Sequence, residues 1–176
     1  MTRTDVLSGA PCGLRDRAAR YALLPLRLFL GVTFVYAGLD KLTDSAFLSA
    51  TGVGSIGEMM RGVRDTSAIP ALVDLALKAP VGFAVVLAAG ELLVGLATLA
   101  GLLTRLAAAG GALIALSLWL TVSWAVTPYY YGNDLVYLVA WLPLVLAGAP
   151  YLSLDALAAR RSEDSPSRWR LSRRTA

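Results

Sequence analysis

The sequence predicts an all-α membrane protein: a four-helix transmembrane bundle with an outer loop of short amphipathic helices. Three observations predict it. Of 176 residues, 57% are hydrophobic and only 16% charged, against roughly 45–50% and about 25% in an ordinary soluble domain. The hydrophobic residues gather into four runs, roughly 21–41, 80–102, 106–126 and 134–151. Each is near the ~20 residues a helix needs to cross ~30 Å of hydrocarbon. The charges collect at the ends, with Arg3, Arg15, Arg17 and Arg20 before the first run and Arg160, Arg161, Arg168, Arg170, Arg173 and Arg174 after the last.

The length suits one domain. Residues 1–20 read as a basic cytoplasmic tail, with Pro11 and Gly13 as breakers, and 21–152 as the membrane domain. Residues 153–176 read as a basic, largely disordered cytoplasmic tail in which Trp169 can dip into headgroups. Spanning segments default to helices because lipid offers no partner to an unpaired amide. The runs do not alternate as the strands of a membrane barrel would. Pro143 interrupts the last run, the shortest of the four.

Lysine and arginine counts set the topology. With both termini in the cytoplasm the inner side carries eleven, the two tails plus Arg105, and the outer side four: Lys41, Arg61, Arg64 and Lys78. The positive-inside rule then places both termini in the cytoplasm of a multi-pass plasma-membrane protein. A cleaved signal peptide ending at Val35-Tyr36-Ala37 fits less well, because Pro25 and Arg27 interrupt its apolar core. The net charge of +4 comes from the tails. It reads as topology and headgroup attraction, not nucleic-acid binding.

The one long loop, 42–79, faces outside. Within it IPALVDLALKAP sets Leu72, Leu75, Ala76 and Ala79 at helical spacing, and one or two amphipathic helices at the membrane surface are expected. The loop reads as a connector or as a lid over the bundle. Cys12 has no partner for an internal disulfide, and histidine is absent. The commonest haem and metal ligand is therefore missing. Any redox chemistry would use an organic cofactor or a partner, and neither haem nor metal is expected.

The first run places Arg27, Gly31, Phe34, Gly38 and Lys41 on one helical face. The second does the same with Glu91, Gly95, Thr98, Leu102 and Arg105. Glycines on such faces let helices approach closely. Glu91 falls near mid-membrane, where a carboxylate costs at least ~2.5–3.5 kcal/mol. It must face the bundle, protonated or paired, and Arg27 is the nearest basic candidate on another helix. Its role is either functional or an interhelical hydrogen bond. At the outer ends Asp40 and Lys41 meet Ser123, Trp124 and the run PYYYGNDLVY, with Tyr130, Asn133, Asp134 and Tyr137. Such aromatics often form only the interfacial belt. The sharper reading is a polar outer site whose donors hydrogen-bond the carbonyls of a quinone between aromatic walls.

These stretches have a family likeness. LRLFLGVTFVYAGLDKL, GELLVGLATLAGLLTRLAA and YYYGNDLVYLVAWLPLVLAG, in that order, resemble the DoxX-like family of small four-helix membrane proteins. That family includes the small DoxD subunit of thiosulfate:quinone oxidoreductase. The resemblance covers about residues 21–150. It implies polar positions at Arg27, Lys41, Glu91, Arg105 and Asn133, with Asp40 and the tyrosine run leaning toward DoxD. It also implies a role in membrane-linked redox, from a sulfur compound such as thiosulfate to quinone.

The leading expectation is thus a membrane subunit of a quinone-linked oxidoreductase. Glu91 and Arg27 would be the catalytic pair. Asp40, Lys41, Trp124, Tyr130, Asn133, Asp134 and Tyr137 would bind quinone or substrate. Lipid, a redox partner subunit and a second copy of the chain are the expected partners. Two alternatives stand beside it: a non-catalytic assembly or anchoring protein of a membrane redox complex, and a small-molecule carrier.

Overall fold

The computed structural model describes residues 21–149 and 151–163, so the tail 1–20 with Cys12, and the last residues with Trp169, lie outside the described part. Within it the chain is helical, without strands. In order the α-helices are α1 (Leu24–Thr43), α2 (Ile56–Val63), α3 (Pro70–Leu77), α4 (Pro80–Ala100), α5 (Thr104–Thr121), α6 (Asn133–Ala147) and α7 (Leu154–Glu163), with 3₁₀ turns at Arg64–Thr66 and Tyr129–Tyr131.

The long helices α1, α4, α5 and α6 form a four-membered ring. α1 packs most extensively on α4 and α5 on α6, while α4 meets α5 and α1 meets α6 only along a short seam. Two helices, α4 and α5, are long and apolar enough to cross a membrane by length and composition. α6 is apolar but has only 15 residues, and α1 has 20 but includes Arg27, Asp40 and Lys41.

Local chemistry sets the ends of these helices. Proline stands in the first turn of α1, α3 and α4, where its missing N–H costs nothing. α2 is capped by Ser55, whose hydroxyl accepts from Glu58 N at 3.2 Å, the start of a capping box. α4 ends at Gly101, which takes the left-handed conformation at φ 66° and donates to Ala97 O and Thr98 O. α5 stops at Thr121, earlier than the run to residue 126 anticipates. α6 runs through Pro143 to Gly148 without a break.

The α1–α4 interface rests on small residues. A Cβ built on Gly38 would lie 2.7 Å from Ala88 O and 2.8 Å from Leu92 N, and one on Gly95 would lie 2.7 Å from Val35 N. Gly31 meets Leu99 and Gly38 meets Ala88, so the two helices run antiparallel. Across the ring, Gly111 of α5 lies flat against the indole of fully buried Trp141. Leu30, Phe34, Ala108, Ala115, Trp141 and Leu144 form the bundle core, with Trp141 edge-on to Phe34 at 4.9 Å.

A second core closes the loop end of the bundle, where Phe47, Ile56, Met60, Val73, Ala76 and Ala84 gather. α3 buries Val73 and Ala76, and leaves Leu75 exposed. The face anticipated through Leu72, Leu75, Ala76 and Ala79 is therefore rotated. Eight residues that are almost all apolar carry little information about which side turns inward. Arg64 clamps Asp74 through two hydrogen bonds of 2.6 and 3.0 Å, and these hold the Asp74 carboxyl below the usual carboxylate range.

The opposite, terminal end is also knitted together; Leu154–Glu163 is helical, and the rest of the tail expected to be disordered lies outside the described residues. Arg27 donates to Tyr151 O at 3.0 Å and Leu152 O at 2.6 Å. Asp155 accepts from Leu103 N, Thr104 N and Thr104 Oγ1 at 2.8, 2.9 and 3.0 Å. It thereby caps α5 from the far side of the chain and supports Leu103 at φ 46°. Arg105 donates to Leu146 O at 2.6 Å.

Candidate functional site

α1 carries its buried residues at Arg27, Leu30, Gly31, Phe34 and Gly38, the face that periodicity indicates. Lys41 continues it. On α4 the matching face is Ala84, Ala88, Glu91, Gly95 and Thr98. It stops there because Gly101 ends the helix. Leu102 is exposed and Arg105 belongs to α5, so neither extends that face as the sequence pattern implies.

Glu91 finds its counter-charge in Lys41. Lys41 Nζ donates to Glu91 Oε2 at 2.7 Å, with side-chain exposures of 23% and 4%. The expected partner, Arg27, is committed at the terminal end to the carbonyls of Tyr151 and Leu152. Two effects decide the exchange. A helical side chain leans toward the N-terminus of its helix, so Lys41 reaches back along α1, passing Ala37 O at 3.4 Å. The stagger of the helices, with Gly38 level with Ala88 and Leu92, then brings it to Glu91.

The pair lines a cavity of about 180 Å³ with Thr33, Phe34 and Ala37 of α1, Ala115 and Leu118 of α5, and Asp134 and Tyr137 of α6. Tyr137 stacks on Phe29 and meets Phe34 edge-on, both at 6.3 Å. Asp134 accepts a hydrogen bond from Ser123 Oγ. The structure therefore unites Lys41, Glu91, Asp134 and Tyr137. It does not bring in the rest of the predicted set. Asp40 and Asn133 are exposed. Trp124 is half-exposed and tilted on Trp119 at 5.4 Å. Tyr130 is exposed and stacked edge-on between Tyr129 and Tyr131. Phe34 and Ser123 join the site. Phe34 was legible as one more member of the Arg27–Lys41 face, and Ser123 only as a neighbour of Trp124.

Larger grooves exist, including one of about 450 Å³ beside Tyr21, Tyr151 and Leu154 at the terminal end. It gathers no comparable set of charged side chains. The cavity at Glu91 combines a cation, two carboxylates, a phenol and apolar walls, the usual composition of a small-molecule site.

The family model described as TQO small subunit DoxD matches residues 22–173. The chain belongs to the DoxD family. The match takes in all four long helices of the DoxD ring and the segment that caps α5. No curated protein and no solved structure matches the chain.

Proposed function

We propose that the chain is the integral-membrane small subunit of a thiosulfate:quinone-type oxidoreductase, and that the cavity at Lys41 and Glu91 receives the head of a quinone. In this reading α1, α4, α5 and α6 all span the plasma membrane. Both termini lie in the cytoplasm, and α2 and α3 cover the outer end. The four helices support it by what they turn outward. Leu28, Phe29, Val32, Val86, Leu93, Leu96, Leu106, Leu113, Val136, Val139 and Leu146 are all exposed. An apolar coat this extensive is foreign to a soluble monomer, and it suits lipid.

The observation that carries the site is the Lys41–Glu91 pair facing Asp134 across a cavity walled by Phe34 and Tyr137. With one cation and two carboxylates the cavity repels a small anion such as thiosulfate and tolerates a neutral ring. The sulfur donor then belongs to a partner subunit, which also supplies the electrons. About 180 Å³ falls below the ~300–1,000 Å³ of a complete small-molecule pocket. The cavity thus suits a single ring, whose tail would lie outside along the short seam between α1 and α6. Reduction of a quinone to a quinol takes up two electrons and two protons. Lys41 would donate a hydrogen bond to a ring carbonyl, the aromatic walls would hold the ring plane, and Glu91 and Asp134 would hold and hand over protons.

Purification of the tagged chain from its native membrane in mild detergent, with mass spectrometry of everything retained, tests the assignment. A redox partner and bound quinone are expected. A chain that emerges with neither contradicts it. One observation favours a second reading, a non-catalytic assembly protein: Lys41–Glu91 joins α1 to α4 beside Gly38, where it can act as an interhelical tie. That reading expects Glu91→Gln to weaken the subunit in detergent while the assembled complex keeps its activity.

A further inference from the structure

We infer that the site exchanges its protons with the membrane face covered by α2 and α3, through Asp134 and Ser123, and not with the face that carries the termini. The inference rests on the quinone reading above.

The groups around the cavity are unequal on its two sides. Toward the terminal end lies the bundle core, where Leu30, Ala108, Trp141 and Leu144 are fully buried. Beyond it Arg27 is tied to the Tyr151 and Leu152 carbonyls. No side chain of this core carries a titratable proton, and the indole N–H of Trp141 finds no acceptor among the described residues. A proton reaching Glu91 from that side would meet the isolated Thr98 hydroxyl, the Trp141 indole and the Arg27 guanidinium, with no carboxylate among them, and apolar packing between, which is prohibitive for a charge.

Toward the loop end the side chains are polar and line one cavity. Glu91 meets Lys41, and Asp134 shares the cavity with both. Asp134 in turn accepts from Ser123, which is part-exposed beside Gly132 at the turn between α5 and α6. The charged and titratable groups facing the cavity are Lys41 from α1, Glu91 from α4, and Asp134 and Tyr137 from α6. α5 contributes only Ala115 and Leu118. Asp134 therefore stands beside the pair of buried Glu91 and partly exposed Lys41, on the side where Ser123 fixes its carboxylate.

The balance is simple. For each quinone the sulfur donor, through the partner subunit, gives two electrons. Glu91 and Asp134 are carboxylates in the resting site, so the two protons that reach the ring oxygens come from solvent one at a time, each held on Asp134 before its transfer, and both carboxylates end the cycle as they began. Asp134 is the relay and Ser123 is a positioning residue.

The test uses liposomes carrying the complex purified from native membranes, with its orientation fixed by protease mapping of the α2–α3 loop. Thiosulfate and a short-tailed quinone start turnover. Impermeant pH dyes inside and outside report which face loses protons. Uptake at the α2–α3 face is expected. Asp134→Asn should slow it about 10²-fold per bound quinone, the lower range for loss of a proton-transferring group, with the quinone occupancy of each variant titrated separately. Asp134→Glu should restore much of the rate, and Ser123→Ala should shift its pH profile. Uptake at the terminal face, or Asp134→Asn turning over at the wild-type rate, overturns the inference and leaves the quinone site standing. A wild-type complex that binds no quinone overturns both.

Discussion

Lys41 Nζ lies 2.7 Å from Glu91 Oε2, although Lys41 is in the last turn of α1 and Glu91 is in the middle of α4. The two helices are staggered by their glycine contacts, so that α1 ends well short of Pro80. The lysine therefore points down into the bundle, and a carboxylate that would otherwise be stranded is paired.

Removing one partner leaves the other charge in an apolar setting. Lys41→Met is expected to destabilise the chain by about 3 kcal/mol, the low end of the range for a broken buried pair, because Lys41 is partly exposed. Lys41→Met with Glu91→Met should recover most of that loss. Reversible unfolding in mixed micelles, run as a double-mutant cycle, measures the coupling. A coupling near zero would show that the pair does not form.

The glycine contacts make a sharper structural prediction. Gly38→Ala places a methyl 2.7 Å from Ala88 O, a backbone atom that cannot rotate away. It should cost about 1–3 kcal/mol, as overpacking does, and pull Lys41 from Glu91. Gly62→Ala in α2 meets nothing within 4 Å and should stabilise by about 0.5–1 kcal/mol through helix propensity. Thermal unfolding of the two variants in one detergent should move in opposite directions.

Asp155 is the cap of α5, and Asp155→Ala should cost about 0.5–2 kcal/mol. Burial alone would raise its pKa, but the Thr104 and Leu103 amides and the Thr104 hydroxyl outweigh it and hold the carboxyl below the ordinary aspartate range. A lowered folded pKa means stability that is fully present above the unfolded value of about 3.9 and lost as pH falls through the folded value. The wild type should therefore lose more stability than Asp155→Ala as pH falls below about 4. Equal acid sensitivity of the two proteins would refute the cap.

Arg27 has a structural task at the terminal end. Arg27→Lys keeps the charge but cannot reach both Tyr151 O and Leu152 O with one fork. Amide exchange in residues 151–157 should rise, while exchange around Glu91 stays unchanged. A change at Glu91 would restore the expected Arg27–Glu91 link.

These contrasts show where the sequence was readable. The faces Arg27–Gly31–Phe34–Gly38–Lys41 and Glu91–Gly95–Thr98 were legible because helical periodicity is local, and a buried acid in an apolar run is conspicuous. Which base would pair with Glu91 was not legible. The choice depends on the stagger between α1 and α4, a property of two helices and not of either one. The same holds for Asp155, whose partners lie some fifty residues earlier in the chain. The outer aromatics misled for a different reason: Tyr130 and Trp124 have the chemistry of a pocket wall, but the 3₁₀ turn at Tyr129–Tyr131 keeps its rings outside. Only Tyr137, one turn into α6, reaches the cavity.

Quinone binding to the purified chain in nanodiscs, followed through a short-tailed photoactivatable quinone and peptide mapping of the label, tests the site most directly. We expect stoichiometric binding, label on Tyr137 or Phe34, and affinity reduced about tenfold or more by Lys41→Met but little by Asp40→Asn. Absence of binding, or label confined to Tyr129–Tyr131 with Lys41→Met unaffected, would contradict a quinone site at Lys41 and Glu91.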